Sequence, residues 1–315
     1  MDRNNRGLSL PRMIKAELPN SERLAWLEQL DRVAALAKLS TMERVVRLGL
    51  KYVRLWQSRL LGARAAKASL FTGVPFSMQL PAAADIYLCG GKTHDSELRL
   101  ARFILRYLPV DASVLDIGGH YGYFTLLMAQ VAKEGYVRTI EAAPASQVFL
   151  KLNTAPFANI RCYSMGLSDT KGTMTFYTFP AAYSEYNTLD ITPYLEQAWF
   201  IKNPPKKETV SVNTLDGFVA EHAPSVQWIK MDVEGAEALI LKGGALTLAS
   251  NCVWMMEYLA GSTSATYQQA EAMFRTAGYL AYAITSLGDL TELPSVLDWM
   301  LAEGLESENI VFIQS

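Results

Sequence analysis

The sequence is poor in the residues that build covalently stapled folds. Its three cysteines, Cys89, Cys162 and Cys252, are isolated, odd in number and form no C-x-x-C pair. That excludes a disulfide framework and a zinc knuckle, and it fits a reducing compartment. Neither sign of charge dominates, with 29 basic against 31 acidic residues. The large basic excess of a dedicated nucleic-acid binder is therefore missing, and nucleic acid is not an expected partner. No run approaches the roughly 18 apolar residues of a membrane span. The first twelve residues are polar and basic with no apolar segment behind them, unlike a secretory signal, so a cytoplasmic protein is expected. There is no internal repeat, and an apolar content of 50% with 19% charged residues excludes a disordered or fibrous chain.

A length of 315 residues accommodates one large α/β domain with an appendage, or two domains. Residues 1–19 read as a flexible tail, 20–92 as a helical extension with a connector, and 93–315 as the main domain. Helical periodicity extends from Ser21 to about Ala68. Ser40-Thr41-Met42-Glu43 has the form of a capping box. In the helix that follows, Arg44, Arg47, Lys51 and Arg54 fall three or four apart and share a predicted face. Val45, Leu48, Tyr52, Leu55 and Trp56 supply the predicted apolar face. Seven basic residues and one acidic residue lie between Thr41 and Leu70. Two readings stay open for residues 41–70. One is docking onto an anionic surface, such as the inner face of a membrane or an acidic glycan carrier, or onto a protein partner. The other is the solvated face of a helical cap.

After a connector from Phe71 to about Lys92, strands alternate with helices. The predicted strands are 113–118, 136–142 and 160–167, followed by an edge strand at 172–179. Residues 226–234, 252–259, 279–285 and 309–314 complete the series. The helices are 95–108, 122–133, 145–154, 236–242 and 264–277. Such alternation implies a doubly wound, mostly parallel sheet, here closed by an antiparallel hairpin. The long polar and aromatic segment 180–208 is a candidate substrate lid.

Ligands of open α/β sheets bind beyond the carboxyl ends of the strands. At the end of the first strand stands Asp116-Ile117-Gly118-Gly119-His120-Tyr121-Gly122, where glycines let a ligand approach the backbone. A dinucleotide site would show G-x-G-x-x-G aimed at pyrophosphate. This turn instead carries an acid, which repels phosphate and suits the sulfonium and ammonium of S-adenosylmethionine. Glu141, at the end of the second strand, is placed to accept ribose hydroxyls. Ser168 and Asp169 stand where an adenine ring could lie, although the same residues also read as a plain turn. The fourth strand ends in Lys230-Met231-Asp232-Val233-Glu234-Gly235-Ala236-Glu237. Asp232 is expected beside the reacting methyl, and Glu257 ends the fifth strand. These neighbouring acids could hold a divalent metal such as magnesium, or could simply complement a helix dipole.

VLDIGGHYGYFTLLMAQ, IEAAP, FLKLN, GLSD, VNTLDGF and IKMDVEGAEALILKGG together resemble the FkbM-type, S-adenosylmethionine-dependent methyltransferases over about residues 95–278. The resemblance implies a class I methyltransferase (Rossmann-like) fold with a seven-stranded, mostly parallel sheet and one antiparallel strand. It also implies O-methylation of hydroxyls on sugars, glycans and related natural products. Carried onto this sequence, it puts Asp116, Gly118 and Gly122 at the methionine end of the cofactor. Glu141 falls at the ribose, Asp169 near the adenine and Asp232 at the methyl. Gly119-His120 replaces a more usual Ala-Asn, and Tyr121 follows in the same turn.

An alcohol must lose a proton during methyl transfer, and His120, His94 and Asp232 are the candidate bases. Tyr183 and Tyr186 in the lid, with Glu234 and Glu257, are candidate contacts to a small-molecule or glycan acceptor. The competing expectations are a non-catalytic adapter of the same fold and a nicotinamide-dependent oxidoreductase. Asp116 and the missing G-x-G-x-x-G disfavour the oxidoreductase.

Overall fold

A computed structural model describes residues 20–195, 197–261 and 264–314; the expected tail, 1–19, lies outside them. The first helix, α1 (Ser21–Ala37), starts where the Asn20 side chain accepts from the Arg23 amide. The second, α2 (Thr41–Leu61), opens on the capping box read from the sequence: Ser40 and Glu43 exchange side-chain-to-backbone hydrogen bonds. Two details of this region differ from expectation. Helix ends at Leu61 rather than near Ala68, because Gly62 adopts a left-handed φ of 97° and the chain turns into a strand. That strand, β1 (Arg64–Ser69), pairs antiparallel with β2 (Pro75–Leu80), so the expected connector carries half of a hairpin and then α3 (Ala84–Cys89). The predicted faces of α2 also change. Trp56 and Val45 point to solvent, while Lys51 turns inward to donate to the Tyr87 carbonyl at 3.0 Å. Gly49, with φ of 31°, breaks the helix and offsets its two halves, so one continuous wheel does not describe it.

The main domain begins with α4 (Asp95–Tyr107), which stops before Pro109. It continues through β3 (Ser113–Ile117), α5 (Tyr123–Val131), β4 (Tyr136–Glu141), α6 (Pro144–Thr154) and β5 (Ile160–Ser164). A small-sheet insertion follows: β6 (Gly166–Ser168), β7 (Gly172–Thr178), α7 (Ala198–Lys202) and β8 (Lys206–Thr214). The chain then runs through α8 (Leu215–His222), β9 (Trp228–Met231), α9 (Glu237–Lys242), α10 (Ala245–Ala249), β10 (Val253–Leu259) and α11 (Ser264–Thr276). It closes with β11 (Tyr279–Ile284), β12 (Leu290–Leu293), α12 (Val296–Glu303) and β13 (Ser307–Gln314).

The large sheet has the order β12-β11-β13-β10-β9-β3-β4-β5. From β5 to β11 this is the seven-strand arrangement implied by the resemblance, with β13 inserted antiparallel between β10 and β11. An eighth strand, β12, extends the edge as an antiparallel hairpin with β11, so two strands rather than one run antiparallel. The predicted strand 160–167 is divided. After Ser164 the chain leaves the large sheet, and Gly166 packs against Val212 as β6 pairs with β8. The predicted edge strand at 172–179 joins this three-stranded sheet instead.

Apolar side chains of the large sheet bury in two clusters, one on each face, and a small third cluster lies at the three-stranded sheet. One joins Leu115, Ile117, Ile229, Met231 and Trp254 to α8, α9, α11 and α12. The other joins Val114, Val137, Trp228 and Met255 to α4 and α5, and it takes in Leu30, Leu55, Phe76 and Met78. The N-terminal extension therefore shares the main core.

Candidate active site

Three strand ends make the floor of a cleft that is half open to solvent. Gly118 leaves β3 at φ of 85°, and a side chain there would collide with the Asp232 carbonyl at the end of β9. Gly119 is equally crowded: a Cβ would meet the Thr139 hydroxyl on β4. The glycine pair thus draws the first turn tightly between its neighbours and leaves bare backbone facing the cleft. His120 follows with φ of 47°, a strained angle for a side-chain-bearing residue. Its ring stacks on Tyr121, and its Nε2 lies 3.3 Å from Ser184 Oγ in the segment 181–186.

Glu141 ends β4 with its carboxylate accepting from the His120 and Ala143 amides, both at 2.7 Å. Burial raises this carboxyl to about 7 against the opposing pull of those amides. Burial lowers His120 to about 4, so the imidazole is neutral at physiological pH.

Asp116 does not stand open to the main cleft. It lines a smaller adjoining recess with Gly119, His120, Tyr121 and Lys230. There it accepts from the Thr125 hydroxyl, while its other oxygen has no hydrogen-bond partner and lies 3.9 Å from Lys230 Nζ. Lys230, a lone cation in the apolar strand β9, also bonds to Asp232 Oδ2 at 3.1 Å. Burial opposes ionisation of both partners, yet the attraction wins: the Asp232 carboxyl falls below its ordinary range and the Lys230 ammonium rises above its own.

At the far side, Asp232, Glu234 and Glu257 bring carboxylate oxygens within 4.8 Å of one another. Burial and the Asp232 charge push both glutamates well above the usual carboxyl range. Glu257 bonds to Asp232 and accepts from Ser307 Oγ, and Tyr194 donates to Glu234 at 2.9 Å. The three acids have the composition to hold a hard cation. Glu237 has a structural task, accepting from the Val233 and Gly235 amides at the start of its own helix.

The remaining predicted residues are placed as follows. Ser168 and Asp169 bond to each other beneath Gly243, and the cleft wall at that point is Met165, Gly166 and Leu167. Gly122, at φ of 94°, caps α5 outside the cleft lining. His94 precedes α4 without lining either recess. Tyr183 and Tyr186 both stack on Trp199, with ring centroids 5.2 and 4.8 Å apart, rather than lining the cleft. Lining residues not singled out from the sequence include Lys92, Glu97, Ser184, Glu185 and Asn187. Lys92 bridges Glu97 at 2.8 Å and Glu185 at 3.1 Å, tying the segment 181–186 to α4 across the cleft mouth.

The model of the methyltransferase FkbM domain matches residues 116–290. The chain belongs to the FkbM methyltransferase family. Methyltransferase 1 of Beauveria bassiana (strain ARSEF 2860) is 29% identical over 149 residues, which is 43% of this chain and 59% of that relative's length. A methyltransferase FkbM from Methylobacillus flagellatus KT superposes with a TM-score of 0.41 at 14% identity, over 85% of this chain and 59% of that one. Aeropyrum pernix fibrillarin, solved with natively bound S-adenosyl-L-methionine, superposes with a TM-score of 0.37 at 13% identity, over 68% of this chain and 74% of that one. Within this FkbM-family domain the strand order itself, rather than these distant superpositions, identifies the class I methyltransferase sheet.

The site's residues suit S-adenosylmethionine. Bare glycine backbone, a strand-end acid at Glu141 and the charged carboxylate of Asp232 match a ligand with ribose hydroxyls and positive charge. The buried Asp116 oxygen without a hydrogen-bond partner leaves an acceptor at the same end.

Proposed function

We propose that this cleft binds S-adenosylmethionine and transfers its methyl group to a hydroxyl of a sugar, a glycan or a related natural product. The observation that carries the reading is the pairing of two different proton acceptors beside Gly118. One is Asp232, held charged by Lys230; the other is His120, held neutral by burial. When bound, S-adenosylmethionine supplies a methyl already activated by its sulfonium. Glu141 holds the ribose, Met165 to Leu167 wall the adenine, and Asp232 faces the positive sulfur.

S-adenosylmethionine held there would supply the methyl to the acceptor oxygen and leave as S-adenosylhomocysteine, and the proton of the acceptor hydroxyl would go to His120 Nε2. Asp232 is the weaker candidate for that proton, since Lys230 and the Glu257 hydrogen bond already stabilise its carboxylate. Burial disfavours a positive His120, and the charges of Glu185 and Asp232 offset part of that cost. Alignment of donor and acceptor supplies much of the rate, and a positioned base adds a factor of about 10² to 10⁴.

Mass spectrometry of candidate glycans and lipids incubated with the protein and isotopically labelled S-adenosylmethionine tests the reading. A labelled methyl on a hydroxyl oxygen of one class supports it. Methylation only of nitrogen or carbon, or of nothing while the cofactor binds, contradicts it.

A further inference from the structure

The proposed chemistry uses the C-terminal edge of the sheet and leaves α2 unexplained. Met42, Val46, Leu50, Val53, Trp56 and Leu60 all face solvent, with Val46 78%, Leu50 82% and Trp56 63% exposed. On the second half of the helix the pattern is regular. Val53, Trp56 and Leu60 follow at three- and four-residue intervals along the outward line, and Leu55 and Ser58 take the inward one. A charged or polar outward face is the ordinary arrangement for a helix packed on a domain. Here an outward line is apolar, and a row of exposed apolar side chains of this kind marks an interaction site.

The charges beside it identify the partner. Arg54 and Arg59 flank the apolar line on its two sides, and Arg47, Arg64 and Lys67 are also exposed along α2 and β1. The only acid of the helix, Glu43, is committed to the cap at Ser40. Apolar side chains framed by cations are what an interfacial helix needs: apolar groups enter the acyl boundary while arginines meet anionic headgroups. A second copy of the chain is a poorer match, since pairing two such faces would set arginine against arginine. No described helix is long and apolar enough to cross a membrane, so contact would be peripheral.

We infer that α2 docks the protein on an anionic lipid surface, with Leu50 and Trp56 inserted and Arg54 and Arg59 on headgroups. Lys51 anchors the helix to the domain through the Tyr87 carbonyl, so the docked face is held rigidly to the catalytic unit.

Flotation of the full chain with vesicles tests this. Vesicles of phosphatidylcholine mixed with phosphatidylglycerol should carry the protein, and vesicles of phosphatidylcholine alone should not. Arg54→Gln with Arg59→Gln should weaken flotation on the order of ten- to thirtyfold, and raised salt should do the same. Leu50→Glu with Trp56→Glu should abolish it while leaving the melting temperature and S-adenosylhomocysteine binding unchanged. Absence of flotation with the anionic vesicles overturns the inference. So does concentration-dependent dimerisation that the glutamate variant abolishes, which would make this face an interface between copies.

Discussion

The ammonium of Lys230 lies 3.1 Å from the carboxylate of Asp232, within a strand that is otherwise apolar, and it reaches towards Asp116 on the neighbouring strand as well. One buried cation therefore holds two acids, the buried Asp116 of the adjoining recess and the partly exposed Asp232 of the cleft. Replacing it leaves both acids without compensation. Lys230→Met is expected to destabilise the protein by about 3 kcal/mol, the lower end of the range for breaking a buried pair. The lower end applies because the Asp232 side chain keeps 34% exposure. Urea denaturation at neutral pH measures this, and the loss should shrink in the double variant Lys230→Met with Asp232→Asn.

Gly118 and Gly304 both adopt positive φ, but only Gly118 is enclosed by other parts of the chain. Gly304→Ala should cost about 1 kcal/mol for its backbone angle alone. Gly118→Ala should cost at least about 2 kcal/mol more, because its methyl must displace the Asp232 carbonyl. Thermal unfolding of the two variants separates the contributions, and only Gly118→Ala should lose S-adenosylhomocysteine binding.

Acid titration should expose His120. Its folded-state value of about 4 lies below the ordinary 6.5, so the unfolded chain binds more protons between those values. The stability associated with the neutral ring is present above pH 6.5 and is lost as pH falls towards 4. His120→Asn keeps a residue tolerant of the left-handed backbone and removes the titration. Its stability should fall less steeply across that window, by about 1–2 kcal/mol in total, given the ring's partial access to the cleft. Turnover of the same variant should drop by about 10² or more with little change in cofactor affinity.

Glu141 titrates with the opposite sign. Its folded value of about 7 exceeds the ordinary 4.5, so the folded protein binds more protons between them and loses stability as pH rises through that window. Glu141→Gln should flatten this part of the stability profile and weaken S-adenosylhomocysteine binding at least tenfold, as read by calorimetry.

Much of the fold was legible because its signals are local. Alternating apolar runs placed the core strands, and the glycine turn after Asp116 marked the ligand end of β3. The division of residues 160–167 was not legible, since it depends on pairing with β8, some forty-five residues later. Within the site, Glu141 and Asp232 were found from their positions at strand ends. Lys92, Glu97 and Glu185 were missed because their meeting spans more than 90 residues of sequence. Lys230 did offer a signal: a lone cation in an apolar strand requires a buried partner. The aromatics of the segment 176–200 could not be assigned by composition, because packing on Trp199 and packing on an acceptor call for the same residue types. The exposed line on α2 was misread because one continuous helical wheel conceals the break at Gly49.

The acid group at Asp232, Glu234 and Glu257 gives a prediction about metals. Lys230 already pairs with Asp232 at 3.1 Å and offsets part of the charge of the group. Treatment with a chelator should therefore leave methyl transfer unchanged. Loss of activity that magnesium restores would instead put a divalent cation in the group.

Calorimetric titration of the full chain with S-adenosylhomocysteine, run beside Gly118→Ala and beside NAD, tests the central claim most directly. The account predicts saturable binding of S-adenosylhomocysteine at a single site, its loss in Gly118→Ala, and no heat from NAD. Absence of S-adenosylhomocysteine binding by the folded protein, or equal binding by Gly118→Ala, would contradict it.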